Sequence, residues 1–455
     1  MLLDFIDLSA GTSKAAYRRL FDQIKQAVQS GVVQKGERFP SIREAAEQLG
    51  VSRTTVENAY LDLCMAGIAE SRPQKGYYCI GVGKPDTPPG EPLPAQKIRY
   101  DLTARKIDPR AADTDLWKKT VREVLRDTEK LTSYGDPQGE KELREALAAY
   151  AYQARGVHCA ADQIVIGAGL GPLLQLRCGL TGRNIRIAME NSGFSQAEQI
   201  FCDYGIPVCH LAGDQNGASA KALLQSGAQV LFLLPSALSK ISVSSFAARR
   251  GEFVKWARAS ADRFVVEDDY NGELRYTARS VTAFQPILPE KTVYIGSFSK
   301  LLLPSVRIAY MVLPGTFAEK FSARRGFYHS TCGKAEQLAL AHYVESGALE
   351  KHLRRLRKLY SLKSRRFCSV LKEIFPEGEI TLFESSLSVG LRLPDFTNSR
   401  TFCEIAEQQG IKILPGQFDN EIRLSFAGLD EDDFRPALEC LQRVFSERGF
   451  RSSNA

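Results

Sequence analysis

Several side chains suited to covalent chemistry on an amine follow a short apolar run in the second half of the chain. Lys300 comes after residues 293–295 through the segment GSFSK. A primary amine at the carboxyl end of a parallel strand lies where α/β sheets bind ligands, and it can form a Schiff base with a carbonyl group. Seven residues later, Arg307 joins the hydroxyl groups of Ser297 and Ser299 as a donor set suited to a phosphate group.

A second strand-like run, residues 264–266, leads into acidic and aromatic side chains. A carboxylate at Asp268 can keep a pyridinium nitrogen protonated, and the Tyr270 hydroxyl can hydrogen-bond a phenolic oxygen. Taken singly, a lysine after a strand is usually a solvated loop charge, and Asp-Asp-Tyr is usually a turn. Because all these residues share a position at strand ends, the set meets the electronic requirements of pyridoxal 5'-phosphate, which we predict as the cofactor.

A different chemistry is indicated near the N-terminus, where two short amphipathic helices are predicted around a glycine turn. Ser41 and Glu44 fit a capping box, and Ser52 caps the second helix. Arg53 points away from the buried face at the start of that helix, where a recognition helix meets base edges in DNA. A basic turn at residues 72–76 then joins two strands as a wing. The alternative is a protein–protein module with the same packing.

Length and composition place these sites in a multidomain globular protein. The chain has 455 residues, of which 44% are hydrophobic and 25% charged, which excludes a disordered chain, a collagen-like repeat and a miniature disulfide scaffold. Two acids among the first seven residues argue against a signal peptide, and no apolar run is long enough for a membrane span. We therefore expect a cytoplasmic protein with reduced cysteines and no membrane partner. The five histidines are scattered, so no metal site is predicted.

The domain boundaries follow from a segment rich in proline and glycine. Residues 81–97 hold five prolines and three glycines without a periodic apolar pattern, as expected of a linker. We predict a winged helix-turn-helix DNA-binding domain at residues 1–80. In residues 98–455, short apolar runs alternate with helical stretches, which indicates an α/β fold with a mostly parallel sheet. The pattern becomes mainly helical near residue 318, so we predict a large-domain core at 98–317 and a small α+β subdomain at 318–455.

The formal net charge of +7 makes an acidic partner such as nucleic acid plausible, but its location is unexpected. Residues 1–80 hold ten basic and nine acidic side chains, so DNA contact must come from placed residues, namely Arg43, Arg53, Arg72 and Lys75. Residues 351–366 contain eight basic residues and no acid. We interpret this stretch as a solvated helix face, and the alternative is a surface that lines the path of bent operator DNA.

The N-terminal domain resembles the winged-helix domain of GntR-family regulators over residues 17–76. The segments GERFPSIRE and LGVSRTTV and the wing glycine carry this resemblance. It implies binding of double-stranded operator DNA, with Arg43 and Arg53 at phosphates or bases and Lys75-Gly76 at the minor groove. The predicted DNA-binding residues are Ser41, Arg43, Ser52, Arg53, Thr54, Thr55, Arg72, Lys75 and Gly76. Glu57 departs from the pattern, because many relatives carry Arg there.

Residues 98–447 look like a fold-type I aminotransferase. The matching segments are SYGDPQG at 133–139, GAG at 167–169, ENSGF at 190–194, SFSK at 297–300 and IRLSF at 422–426. The resemblance implies that Lys300 carries the cofactor as an internal aldimine, that Asp268 pairs with the pyridine nitrogen and that Tyr270 contacts O3′. It also implies that Phe194 stacks on the cofactor ring and that Ser297, Arg307 and Gly169 bind the cofactor phosphate. By the same resemblance, Arg423 binds the α-carboxylate of an amino acid, and Tyr134 reaches the phosphate in the partner subunit.

Two departures from the aminotransferase pattern bear on turnover. Residues 234–242 read LPSALSKIS and lack the His, the aromatic residue and the Pro-Thr-Gly turn that aminotransferases usually have. Leu170 stands where a Ser or Thr often meets the phosphate. The loss of the Pro-Thr-Gly turn favours sensing over catalysis.

A winged helix followed by an aminotransferase-like domain resembles the MocR subfamily of GntR regulators. This resemblance implies a head-to-tail homodimer and an amino-acid or amine effector. As a hypothesis, the effector displaces Lys300 to form an external aldimine, and the closure this favours re-orients the DNA-binding domains. Two alternatives stay open: an active PLP-dependent aminotransferase whose helix-turn-helix is secondary, and a regulator that has lost the cofactor.

Overall fold

The structure, a computed structural model, is described here for part of the chain: residues 3, 6, 15–81, 98–190, 195–214, 217–235, 243–276, 282–384, 386–394, 396–416 and 418–447. It divides into two compact units, Met1–Ala95 and Gln96–Ala455. Residues 82–97 of the predicted linker lie outside the described ranges, and the predicted division at residues 317/318 stays a prediction. Within these ranges, no helix is long and apolar enough to cross a membrane.

The first unit contains three helices and a two-stranded hairpin in its described part. They are α1 (Ala16–Gln29), α2 (Ile42–Leu49), α3 (Arg53–Met65), β1 (Ala69–Arg72) and β2 (Gly76–Cys79). β1 and β2 pair in antiparallel register, as the wing prediction requires. The apolar faces of the helices meet in one core whose buried members include Leu20, Ile24, Val56, Tyr60 and Leu63.

Local sequence explains where α2 begins and ends. The Glu44 backbone N–H donates to Ser41 Oγ at 3.2 Å, and Glu44 Oε2 accepts from the Ser41 backbone N–H at 2.9 Å, which is the predicted capping box. Gly50 ends the helix with φ +64°, a left-handed conformation that side chains disfavour. Ser52 then caps α3 by accepting from the Thr55 N–H at 3.1 Å. The helix-turn-helix geometry therefore follows from short-range hydrogen bonds.

The second unit contains the remaining elements. Its strands are β3 (Tyr100–Asp101), β4 (Ile164–Gly167), β5 (Ile187–Glu190), β6 (Val208–Leu211), β7 (Gly213–Asp214), β8 (Gly217–Ala218), β9 (Val230–Leu233), β10 (Phe264–Asp268), β11 (Thr292–Ser297), β12 (Ala309–Val312), β13 (Glu379–Phe383), β14 (Ser388–Arg392), β15 (Ile411–Lys412), β16 (Leu414–Pro415) and β17 (Glu421–Ser425). Its helices are α4 (Thr114–Leu125), α5 (Thr128–Leu131), α6 (Lys141–Arg155), α7 (Leu170–Thr181), α8 (Ser195–Asp203), α9 (Ala220–Gln225), α10 (Val243–Arg258), α11 (Gly315–Arg324), α12 (Lys334–Glu345), α13 (Ala348–Ile374), α14 (Ser399–Gln408) and α15 (Phe434–Glu447).

Seven strands form one mixed, mostly parallel sheet in the order β4-β12-β11-β10-β9-β5-β6. Of these seven strands, β12 alone runs opposite to the other six. The strands are short, apolar and buried, as expected for a sheet covered by helices on both faces. The predicted fold class is therefore confirmed. β10 and β11 are parallel neighbours, with Asp268 opposite Ile295, so the residues that follow both strands emerge at one edge.

A smaller antiparallel sheet, β13-β14-β17-β16, packs with the C-terminal helices. Its central strands, β14 and β17, pair in antiparallel register. The long helix α13 buries Leu353, Leu356 and Tyr360 along one face. This face fixes how the basic run of α13 is turned toward solvent.

A buried ion pair connects the segment before α4 to α13. Lys363 Nζ lies 2.5 Å from Asp108 Oδ2 and donates to the Ala427 carbonyl at 3.1 Å, and both ion-pair side chains are 1% exposed. Arg110 donates to both oxygens of the same carboxylate. Burial alone would raise the pKa of Asp108, but the hydrogen bonds from Arg110 and Lys363 lower it to about 2.

We predict that Lys363→Met lowers the free energy of unfolding of the second unit by about 3 kcal/mol, because it removes one partner of a buried pair. Arg366→Met is the matched control on the same helix. It removes an exposed ion pair with Glu431 and should cost under about 1 kcal/mol. Urea unfolding followed by circular dichroism measures both, and equal losses would contradict this account.

Candidate functional site

Lys300 lies in the turn that follows β11 and is almost completely buried. Its Nζ donates to the Ser386 carbonyl at 3.1 Å and lies 5.2 Å from the centroid of the Tyr270 ring. The structure thus brings Lys300 and Tyr270 together, because the strands that they follow, β11 and β10, are parallel neighbours. Ser386 was not found from the sequence, since a backbone carbonyl contributed from 86 residues away leaves no local pattern.

Asp268, the last residue of β10, is 3% exposed, and its carboxylate makes no hydrogen bond or ion pair with any described residue. Burial, reinforced by the charges of Asp269 and Glu267, raises its pKa to about 7. Asp269 is arranged differently, because its Oδ2 lies 2.5 Å from Arg155 Nε and accepts from the Tyr294 hydroxyl at 3.0 Å. One carboxylate is therefore compensated within the fold, while Asp268 is left for an external cation or proton.

A cluster of donors forms at the N-terminus of α7, about Gly169. Arg307 Nη1 donates to Ser299 Oγ at 3.1 Å, and Ser297 Oγ lies 3.3 Å from Ser299 Oγ. Gly169 has φ +92°, and a Cβ there would come within 2.5 Å of Arg307 Nη2. Only glycine allows this approach. A guanidinium, two hydroxyls and a helix N-terminus converge here, which is a donor set that fits a phosphate group.

We call Gly169, Ser297, Ser299 and Arg307 the phosphate cradle. Thr331 supports the cradle from outside, because its hydroxyl accepts a hydrogen bond from the backbone N–H of Ala168 at 2.9 Å. The contact orders the loop before α7. It could not be found from the sequence, because the two residues lie 163 positions apart.

Arg423 lies on β17, opposite Gly390 of β14. Its guanidinium carbon is 3.6 Å from the centroid of the Phe383 ring, and its Nη2 is 3.8 Å from Glu421 Oε1. Burial lowers the pKa of Arg423, and its Nε is buried without a hydrogen-bond partner in the described part of the chain. An orphaned donor on a planar guanidinium fits a carboxylate ligand. Glu421 was missed, although its spacing of two places it on the same strand face.

The described part of this chain does not bring Tyr134 into the site. Tyr134 is completely exposed, while nearby Asp136 is held by Arg144 at 3.1 Å and by Arg325. Its predicted contact with a partner subunit stays a prediction. Phe194 and residues 236–242 lie outside the described residues.

The residues predicted to contact DNA are mostly exposed at the start of α3 and on the hairpin. Arg53 and Thr54 are exposed at the first turn of α3, where the helix N-terminus also favours anions. Gly76 has φ +94°, and Lys75 is exposed beside it at the hairpin turn. These positions fit contact of α3 and the wing with a duplex.

Two further basic residues of this surface already have acidic partners. Arg43 Nε lies 3.0 Å from Glu47 Oε1. Arg72 Nε donates to Glu70 at 2.7 Å, and its guanidinium stacks 4.3 Å from the Tyr78 ring centroid. Such exposed pairs are weak, so DNA phosphates can compete for both guanidinium groups.

Comparison with known proteins accounts for both units. Residues 16–79 match the family described as bacterial regulatory proteins, gntR family, and residues 107–229 match aminotransferase class I and II. The uncharacterized HTH-type transcriptional regulator YdeL of Bacillus subtilis is 31% identical over 447 residues, which covers 94% of this chain and 96% of YdeL. The probable rhizopine catabolism regulatory protein MocR of Rhizobium meliloti is 26% identical, over 94% and 93% of the two chains.

A solved structure supports the fold of the second unit. Pyrococcus horikoshii kynurenine aminotransferase, in complex with PMP, superposes with a TM-score of 0.67 at 24% identity. The match covers 78% of this chain and 92% of the enzyme. At this identity the likeness shows the fold alone.

The unpaired carboxylate of Asp268 leads to a pH-dependent prediction for the cofactor-free protein. Its pKa in the folded state, about 7, lies above the unfolded value of about 3.9, so ionisation weakens the fold as the pH rises through this window. Asp268→Asn should therefore raise the free energy of unfolding at pH 8 by on the order of 2 kcal/mol, and the gain should vanish near pH 4.

Asp269→Asn is the matched control for this measurement. It breaks the buried pair with Arg155 and should destabilise the protein at pH 8 by about 3 kcal/mol. Chemical denaturation between pH 4 and pH 8 separates the two effects. Loss of stability in both variants at pH 8 would contradict the assignment of Asp268 as uncompensated.

Proposed function

We propose, from the premise that this chain belongs to the MocR subfamily of GntR-family transcriptional regulators, that an amino acid or amine bound in its aminotransferase-like unit changes its binding to operator DNA. The observation that carries the proposal is a buried Lys300 on the same strand end as a phosphate cradle. A phosphorylated aldehyde would use both features, the amine for its carbonyl carbon and the cradle for its phosphate. This function places the protein with DNA in the cytoplasm.

The residues of the second unit fit pyridoxal 5'-phosphate. When bound, this cofactor supplies an aldehyde carbon that condenses reversibly with primary amines, on a ring that withdraws electrons. The phosphate cradle would hold its phosphate, since Arg307, two hydroxyls and the N-terminus of α7 all donate toward an anion. Gly169 keeps the cradle open, because a side chain there would displace Arg307.

Lys300 and Asp268 would carry the proton and amine chemistry of the resting site. Lys300 would supply the amine that condenses with the aldehyde, and the Ser386 carbonyl accepts a hydrogen bond from this amine when it is free. A protonated ring nitrogen would offset the burial of Asp268 and lower its pKa, so that the carboxylate becomes ionised. Tyr270, beside the Lys300 amine, would donate to the ring oxygen.

Arg423 would select effectors that carry a carboxylate. Its Nε has no hydrogen-bond partner in the described part of the chain, and Glu421 Oε1 lies 3.8 Å from Nη2, beyond hydrogen-bond distance, so the guanidinium keeps donors for a two-point hydrogen bond. The rigid stack on Phe383 limits the entropy lost when this bond forms. An amine without a carboxylate would gain nothing from Arg423.

Effector binding can alter DNA binding only through different affinities for two conformations. In a head-to-tail homodimer, the exposed Tyr134 would reach the phosphate held in the partner subunit, so that occupancy and assembly are coupled. Two winged helices in one dimer would require two operator half-sites.

We expect Arg53→Ala to weaken binding to duplexes selected by the wild-type protein from a random pool by at least about tenfold, because a basic contact at the recognition helix is lost. Arg18→Ala is the control, since it removes the same charge from the same unit at an exposed pair with Asp62. Its affinity should stay within about twofold of wild type. Fluorescence anisotropy measures both, and equal affinities of the two variants would refute a recognition role for α3.

The effector site is tested by a visible-absorbance screen of the cofactor-loaded protein against amino acids. The responding amino acid is then compared with its decarboxylated amine. Arg423→Gln should weaken the response to the amino acid at least about tenfold and leave the response to the amine within about twofold. Borohydride reduction should attach the cofactor to Lys300, and Lys300→Ala should remove that attachment.

Three results would overturn parts of this function. Equal weakening of both responses in Arg423→Gln would remove the carboxylate role. A wild-type protein with no reducible attachment at Lys300 would be a regulator that has lost the cofactor. Sustained formation of a 2-oxo acid in the presence of a second 2-oxo acid would favour an active aminotransferase.

A further inference from the structure

The basic side chains of α13 fall into two sets when their contacts are compared. The side chains of one set already have hydrogen-bond or ion-pair partners within the fold. Arg355 lies 3.8 Å from Asp113, Arg357 donates to the Glu273 carbonyl at 2.7 Å, and Lys363 is in the buried pair with Asp108. Arg366 belongs to this set as well, since it lies 2.9 Å from a carboxylate oxygen of the Glu431 side chain.

The second set is exposed, and its side chains have no hydrogen bond or ion pair with the described part of the chain. We call it the basic stripe, and its members are Lys351, Arg354, Lys358, Arg365 and Lys372. Successive members are three, four, seven and seven residues apart, which places them on one face of the helix. At 1.5 Å per residue, the 21 residues from first to last span about 32 Å.

The face opposite the stripe is anchored, so the stripe cannot turn inward. Leu353, Leu356 and Tyr360 are buried against the core of the second unit. A helix face that is merely solvated gains stability from alternating charges at spacings of three and four, whereas Lys351, Arg354 and Lys358 repel one another. This repulsion is a cost that binding of an extended anion would remove.

We propose that the basic stripe binds the phosphate backbone of DNA that flanks the operator. The proposal rests on the proposed function, in which operator DNA is the polyanion this protein meets. A row of positive charges about 32 Å long matches one turn of B-form DNA, about 34 to 36 Å. Contacts to phosphates carry no sequence information. The stripe therefore adds affinity and guides the flanking DNA along the protein surface, while α3 recognises the base sequence.

The test compares two double variants of the full-length protein that remove equal charge. Arg354→Gln with Arg365→Gln alters the stripe. Arg366→Gln with Arg435→Gln is the control, because both of those exposed residues already have carboxylate partners. Affinity is measured against KCl concentration on a selected site centred in duplexes of about 20 and about 60 base pairs.

On the long duplex, the stripe variant should reduce the slope of log affinity against log salt by about 2 for each subunit whose stripe contacts the DNA, since each lost phosphate contact contributes about 0.9. Its affinity should match wild type on the short duplex, and the control should match wild type on both. An unchanged slope on the long duplex overturns the proposal, and so does an equal change in both double variants. An acidic protein as the stripe's partner would give the first of these results.

Failure of the underlying function gives a different pattern. If the wild-type protein binds neither duplex, DNA binding itself is refuted, and the stripe proposal falls with it. If Arg53→Ala loses binding to the short duplex while the stripe variant behaves as wild type on both, the regulator stands and only the stripe proposal is wrong.

Discussion

The parallel pairing of β10 with β11 is the constraint on which the site depends. Because the two strands run in the same direction, the segments that follow them leave the sheet at one edge, and Tyr270 meets Lys300 there. The antiparallel neighbour β12 enters the sheet beside them, directly after Arg307. The pairing of β11 with β10 and β12 therefore places the Lys300 amine and the Arg307 side of the phosphate cradle at the same edge of the sheet.

The charged groups around this edge differ in whether the fold itself supplies them with a partner. Asp269 is neutralised by Arg155, and both oxygens of Glu267 accept backbone N–H groups. Among the described residues, the Asp268 carboxylate has no such partner, and Arg423 keeps an unpaired Nε. An open carboxylate at Asp268 and an open guanidinium donor at Arg423 fit a ligand of complementary charge.

The same principle separates the two sets of basic residues on α13. The basic residues of α13 look alike in sequence, but acids from distant segments pair with one set and leave the other exposed. Arg355 is an example, since Asp113 lies more than two hundred positions away. Net charge alone would have assigned all of these residues to one surface.

The sequence by itself determined the elements and the chemistry of the candidate residues. Capping by Ser41 and Ser52, the left-handed turn at Gly50 and short apolar strands all act over a few residues, so their patterns are readable along the chain. Only the tertiary structure decided which groups have partners. The Ser386 carbonyl at Lys300, Thr331 at the loop before α7 and Glu421 beside Arg423 arise from packing of distant strands and helices. Hydrogen bonds and ion pairs depend on distances of a few ångströms, and sequence separation does not encode those distances.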